Sequence, residues 1–167
     1  MDYLYLNDLY KSEKEYLGKK IKLKGWIRNH RKQKDFGFIS FSDGTAFKQL
    51  QLVYDKALSN FDEIQKFHIS SAIEVEGELI ESAGKGQDYE VKVCDIKLHG
   101  DCPEDYPIQP KRHSMEFLRD QSYLRLRVNT FQAVFRIRSV ASMAIHKFFQ
   151  DRDYIYAQTP IFTSSDC

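Results

Sequence analysis

Gly25 to Gln51 reads GWIRNHRKQKDFGFISFSDGTAFKQLQ. It comprises short alternating runs joined by two turn-like breaks. In Phe36–Ser42 an alternation of period two puts Ile39 and Phe41 on one side, and Phe36 and Phe38 on the other. In Phe47–Tyr54 the same rule turns Leu50 and Leu52 inward and Gln49 and Gln51 outward. An outward ring beside outward amides and basic side chains makes a poor core. It suits a nucleobase, whose face stacks on the ring and whose edge hydrogen-bonds to the amide.

Working outward, Lys19–Arg31 reads as a first strand, with Ile21, Leu23 and Ile27 on one side and Lys22, Lys24, Trp26 and Arg28 on the other. Gly25 interrupts it, as glycine does at a bend or bulge. Asp43-Gly44 is a hairpin signal. Asp55–Phe67 switches to helical spacing, with Leu58, Phe61, Ile64 and Phe67 on one stripe and Ser59 or Asn60 as a cap. Ala72–Ser82 alternates again with Ile73, Val75 and Leu79 inward. Tyr89–Leu98 buries Tyr89, Val91 and Val93 before a register change. Residues 3–17 are a lead-in with a short helical turn near Leu9–Tyr16. Three strands, a helix and two strands is the element order of the mainly-β OB-fold, a five-stranded Greek-key barrel. Its oligonucleotide face lies on strands 2 and 3, here the strands of Phe38 and Gln51. Strand count alone does not close a barrel, so a β-sandwich is the other architecture open to this pattern.

The length of 167 residues fits one domain and part of another. With 29% charged and 42% hydrophobic residues the chain is globular. The net charge of +1 carries no nucleic-acid signal, but its distribution does. Lys19, Lys20, Lys22, Lys24, Arg28, Arg31, Lys32 and Lys34 follow one another with no acid between them, and acids gather at Glu74, Glu76, Glu78 and Glu81. A solvated face is the plain alternative for such a run. Cys94, Cys102 and Cys167 lack paired spacing, which points to neither zinc nor a disulfide framework and suits a reducing, cytoplasmic setting. The first residues have no signal-peptide pattern, and no apolar run reaches 18 residues.

Composition shifts at Gly100. Pro103, Pro107 and Pro110 disfavour regular structure and read as a hinge, and His113–Arg127 is arginine-rich. Thr130–Phe149 is an amphipathic helix capped by Thr130 or Asn129, with an apolar stripe of Val134, Ile137, Ala141, Ala144 and Phe148. Tyr154–Phe162 is strand-like. One helix and one strand cannot bury that stripe by themselves. The organisation expected is therefore a barrel over 1–100, a hinge over 101–128 and the opening of a second domain over 129–167, with a helical appendage as the other reading.

Gly25-Trp26-Ile27, Arg31, Phe38, Asp43 and Gln51 resemble the anticodon-domain signature of the class II aminoacyl-tRNA synthetases with an N-terminal OB-fold. Arg136, Arg138-Ser139, Ile145-His146, Phe148-Phe149 and Thr159-Pro160-Ile161 resemble motif 1, the helix and strand of the family's dimer interface. In the hinge, Tyr106-Pro107, Lys111–Ser114, Glu116–Arg119, Leu124-Arg125 and Arg127 resemble the asparaginyl branch more than the aspartyl or lysyl branches, as does the terminal stretch 163–167.

The resemblance implies that Phe38 stacks on the central anticodon base, that Gln51 bonds to its edge, and that Arg31 holds base or phosphate. Arg28, Lys34 and Lys85 would be phosphate contacts. Glu90 is a candidate reader of the base that separates asparagine from aspartate anticodons, with a plain surface carboxylate as the alternative. Trp26 is expected to fill space beside Gly25, His146 to pack or face solvent, and Arg138 and Pro160 to lie at the dimer interface. The whole enzyme of this type joins asparagine to tRNA(Asn) with ATP and Mg2+, as a cytoplasmic homodimer. Its motifs 2 and 3 would follow residue 167, so no catalytic or metal-binding residue is expected here and the chain alone should catalyse nothing. An aspartyl-type relative and a free-standing nucleic-acid-binding barrel are the competing readings.

Overall fold

The computed structural model describes residues 2–84 and 86–162. Five strands close into a barrel in the order β1-β2-β3-β5-β4. They are β1 (Lys20–Lys32), β2 (Phe36–Ser42), β3 (Leu50–Asp55), β4 (Ala72–Glu81) and β5 (Tyr89–Gly100). Closure decides against the sandwich. It depends on the length of β1, which pairs with β4 through Lys20–Trp26 and with β2 from Trp26 to Lys32, so that one strand serves two neighbours. β3 and β5 complete the ring as a parallel pair, with Gln51 opposite Glu90 and Leu52 opposite Val91.

The alternation expected for the strands holds. Ile21, Leu23, Ile27, Ile39, Phe41, Leu50, Leu52, Ile73, Val75, Leu79 and Val91 are at most 4% exposed and form the core. The irregularities fall where the hydrophobic pattern slips by one. On β1, Ile27 faces Phe41 but Asn29 faces Ser40, so Arg28 is an extra residue: a β-bulge. On β5, Gly77 of β4 faces Val93 and Glu76 faces Asp95, which makes Cys94 the extra residue. The bulge expected at Gly25 thus lies three residues later. Gly25 is needed for another reason, because a Cβ there would stand 2.5 Å from the Ser42 carbonyl oxygen and 2.6 Å from the Phe41 ring.

Several shorter elements depart from the sequence reading. The lead-in forms two single turns, α1 (Leu6–Leu9) and α2 (Glu13–Tyr16). Leu6 and Leu9 are fully buried in the core, and α1 is tied down where the Leu6 amide donates to Asp43 Oδ2 at 2.7 Å and the Asn7 amide to Thr45 Oγ1 at 3.1 Å. β3 begins at Leu50 rather than Phe47, whose side chain is 49% exposed. The helical segment expected over Asp55–Phe67 narrows to α3 (Phe61–Ile64), yet Phe61, Ile64 and Phe67 are all buried and Leu58 packs against them. Its N-cap Asn60 makes no capping bond, because its amide instead donates to the Ile96 carbonyl at 2.8 Å. Tyr89 is half-buried.

The chain divides into two compact units between Ser114 and Met115. The second contains α4 (Met115–Asp120), a 3₁₀ turn at Arg125–Arg127 and α5 (Asn129–Gln150). Neither Thr130 nor Asn129 caps α5: Val128 holds that position without a side-chain bond. Ile137, Val140, Met143 and Phe148 of α5 are 51–70% exposed, so its apolar stripe is unburied. No strand forms over 154–162, since a strand needs a ladder partner and the described residues of this unit offer none. The terminal stretch 163–167 lies outside the described residues. Among the described residues no helix is long and apolar enough to cross a membrane.

Candidate nucleic-acid interface

The bulge at Arg28 builds this surface. Counting by twos from Ile27 would send Asn29 and Arg31 into the core. The extra residue reverses the phase, so that Arg31 pairs with Phe38 on the outer face and His30 turns inward opposite Ile39. That row runs on to Val53, opposite Phe38, and the adjoining outward row sets Ser40 opposite Gln51 and Gln51 opposite Glu90.

Side chains of these two rows are joined. The Arg31 guanidinium lies 5.0 Å over the Phe38 ring, and Phe36 meets Phe38 edge-on at 5.4 Å between centroids. Arg31 Nη2 donates to Gln51 Oε1 at 3.1 Å, and Gln51 Nε2 donates to Glu90 Oε2 at 3.0 Å. The same Glu90 oxygen accepts from Ser82 Oγ at 3.0 Å and from Gln87 Nε2 at 3.1 Å. Arg31, Phe36, Phe38, Gln51, Gln87 and Glu90 border an open concavity of about 720 Å³, together with Val53, Ala83, Gly84 and Gly86. It offers rings for stacking, an amide edge, a cation and an anion within one cleft, the set that reads an unstacked base.

Of the residues named from sequence, Arg31, Phe38, Gln51 and Glu90 come together here. Arg28, at the bulge, and Lys34, in the exposed β1–β2 turn, do not line the cleft. Lys85 lies outside the described residues. Trp26 is 39% exposed on the outer face of β1, the side that alternation assigns to it. Arg138 and Pro160 belong to the second unit, where Arg138 lies 5.6 Å over the Phe135 ring and Pro160 is exposed. His146 packs edge-on against Tyr156 at 4.9 Å. Gln87 and Ser82 were not singled out from sequence, since a loop glutamine carries no periodic signal. Val53 was within reach, being two residues from Gln51 on the outward face of β3.

The basic run splits in two. Lys20, Lys22 and Lys24 stand opposite Glu78, Glu76 and Glu74 across the β1–β4 pair. Lys22 bonds to Glu74 at 2.9 Å and Glu76 at 2.7 Å, and His99 Nε2 lies 2.8 Å from Glu74. The Lys22 ammonium, and then His99, hold the Glu74 carboxyl down at about 2. That half of the run is neutralised within the sheet, and the excess positive charge falls on Arg28–Lys34.

Behind the cleft, His30 Nε2 lies 2.6 Å from the Tyr54 hydroxyl and its Nδ1 3.2 Å from the Phe67 carbonyl. A carbonyl only accepts, so Nδ1 carries the proton and Nε2 accepts from Tyr54. Burial lowers His30 to about 4 and raises Tyr54 to about 12. Gly37, between Phe36 and Phe38, leaves room for this pair, since a Cβ there would meet the Tyr54 ring and hydroxyl.

Comparisons with known proteins agree with this architecture. Residues 21–98 match the family described as OB-fold nucleic acid binding domain, and residues 114–167 match tRNA synthetases class II (D, K and N). The chain thus carries one stretch similar to each of these two families. Its homologues are asparagine–tRNA ligases. That of Acholeplasma laidlawii is 48% identical over 98% of this chain and 35% of the relative, and that of Acetivibrio thermocellus 50% identical over 96% and 35%. The chain thus spans about 35% of the length of these relatives. The asparaginyl-tRNA synthetase from Pyrococcus horikoshii, solved with asparaginyl-adenylate, superposes with a TM-score of 0.82 over 96% of this chain and 37% of that one. At 23% identity that likeness speaks for the fold.

Proposed function

We propose that the barrel reads the anticodon of tRNA(Asn), with the central base stacked on Phe38 and its edge bonded to Gln51 beside Arg31. The observation that carries this reading is the continuous chain Arg31–Gln51–Glu90 beside the Phe38 ring, all facing one open cleft. Arg28, Lys34 and Lys85 add phosphate affinity that is sensitive to salt and blind to sequence. In this reading residues 1–100 bind the anticodon stem-loop, 101–128 form the hinge, and 129–167 open the catalytic domain. The exposed stripe of α5, with Arg138 and Pro160, is motif 1 and pairs with a second copy. The activity proposed for the whole protein is attachment of asparagine to tRNA(Asn) with ATP and Mg2+ in the cytoplasm. Among the described residues no group of three His, Cys, Asp or Glu could hold a metal ion. No step through ATP or Mg2+ is therefore assigned to these residues.

The test is binding of the chain, at one low salt concentration, to an anticodon stem-loop carrying G-U-U and to the same stem with its central U changed. A preference for G-U-U is expected. Phe38→Ala should weaken that complex by about 1–3 kcal/mol, roughly 5- to 150-fold in Kd. Equal binding to both stems, with only a salt-dependent slope, would reduce the cleft to a phosphate-binding surface.

A further inference from the structure

Resting on the anticodon reading above, we infer that Glu90 is a positioning residue: acting through Gln51, it sets the preference for uracil over cytosine at the base stacked on Phe38. A primary amide presents an oxygen and an NH2 group of nearly the same shape, so a glutamine free to turn over serves either pyrimidine. Gln51 is not free to turn over. On one side stands a guanidinium, which only donates, and Arg31 Nη2 gives its proton to Oε1 at 3.1 Å. On the other stands a carboxylate, which only accepts, and Glu90 Oε2 takes a proton from Nε2 at 3.0 Å. Reversing the amide would set donor against donor at Arg31 and acceptor against acceptor at Glu90.

Glu90 is held in turn. Ser82, just past the end of β4, and Gln87, just before β5, donate to the same carboxylate oxygen at 3.0 and 3.1 Å. Gln87 Nε2 also reaches Ser82 Oγ at 3.1 Å, which ties the two loop ends together. The lock thus runs from the loop through Glu90 and Gln51 to Arg31, along the wall that carries Phe38.

The two fixed bonds use one N–H and one lone pair of the Gln51 amide. The other N–H and the other lone pair remain for a base held against Phe38. N3 of uracil is an N–H donor flanked by carbonyl acceptors, whereas N3 of cytosine is an acceptor beside an amino donor. The locked Oε1 therefore accepts from uracil N3, and at the same place meets the lone pair of cytosine N3. Gln51 alone does not decide the sign of this preference. Arg31 and Glu90 do.

The experiment compares the wild-type chain, Glu90→Gln, and the double variant Ser82→Ala/Gln87→Ala, which keeps the carboxylate but loosens it. Each is titrated with stem-loops bearing G-U-U, G-C-U and G-U-C at one salt concentration. The wild type should favour G-U-U over G-C-U by about tenfold or more. A glutamine at 90 presents either a donor or an acceptor, which leaves Arg31 as the single restraint on the Gln51 amide, so Glu90→Gln should lower the preference for G-U-U over G-C-U several-fold without abolishing it, while Phe38→Ala still weakens binding in that background. The double variant should move the ratio in the same direction, and it decides the matter if Glu90→Gln does not fold. An unchanged central U-to-C ratio in the folded variants would overturn the inference. So would a change confined to G-U-U against G-U-C, which would make Glu90 a direct reader of the third base. If the wild type itself does not distinguish the central base, the anticodon reading fails first and this inference falls with it.

Discussion

His30 shows how much one residue behind the cleft controls. Burial disfavours its charged form and brings it from 6.5 to about 4, with Lys32 adding to the shift and the Phe67 carbonyl opposing it. Between those values the unfolded chain binds a proton that the folded chain refuses. Stability therefore rises with pH across this window, is complete above the unfolded value, and is lost as pH falls through it. One proton allows a slope of at most about 1.4 kcal/mol per pH unit. Urea denaturation at several pH values should show this slope in the wild type and not in His30→Gln. A slope that persists unchanged in the variant would place the titration elsewhere. Glu74, lowered from 4.5 to about 2 chiefly by Lys22, loses its contribution only at more acid pH. The two windows are thus separable. The inward place of His30 was not legible from alternation, which assigns it to the outer face with Trp26 and Arg28.

At the scale of the element, the Arg28 bulge is what turns β1 from a core strand into part of a binding face. Deleting Arg28 removes the extra residue and leaves Asn29 next to Ile27, so Asn29 stays opposite Ser40, His30 opposite Ile39 and Arg31 opposite Phe38, each on its present face. The deletion should therefore keep the barrel folded, with His30 still against Tyr54 and a urea midpoint close to that of Arg28→Ala. A steep fall in the midpoint for the deletion alone would mean that the bend of the bulge, and not only the phase it sets, is needed to close the barrel. The charge pattern is also decided between elements. The basic run is continuous in sequence, but β4 places its glutamates at every second position and neutralises the first half of it.

At the scale of the whole molecule, the barrel is closed and its core is filled, whereas α5 leaves its apolar stripe exposed. Contiguous apolar surface of this kind marks an interaction site. With a second copy as the proposed partner, sedimentation velocity should show the average mass rising with protein concentration. Val140→Glu, a 70%-exposed position on that face, should lower the association without loss of helix signal in circular dichroism. A mass that stays monomeric at all concentrations would argue against pairing through α5 within this chain.

Two-residue periodicity was enough to determine which faces of β1 to β5 are apolar, because burial of one face is a local property of each strand. Element order narrowed the fold to an OB-type barrel or a sandwich, and the outward Phe38 and Gln51 marked the candidate face. The tertiary structure decided what depends on partners distant in sequence. It chose closure over a sandwich, because β1 has two neighbours at once. It moved the bulge from Gly25 to Arg28, because a bulge is defined by the register of the opposite strand. It left 154–162 without strand structure, because hydrogen bonds of a ladder must come from another segment. It also joined Gln51 to Glu90, 39 residues away, since only the parallel pairing of β3 with β5 brings that carboxylate against the amide.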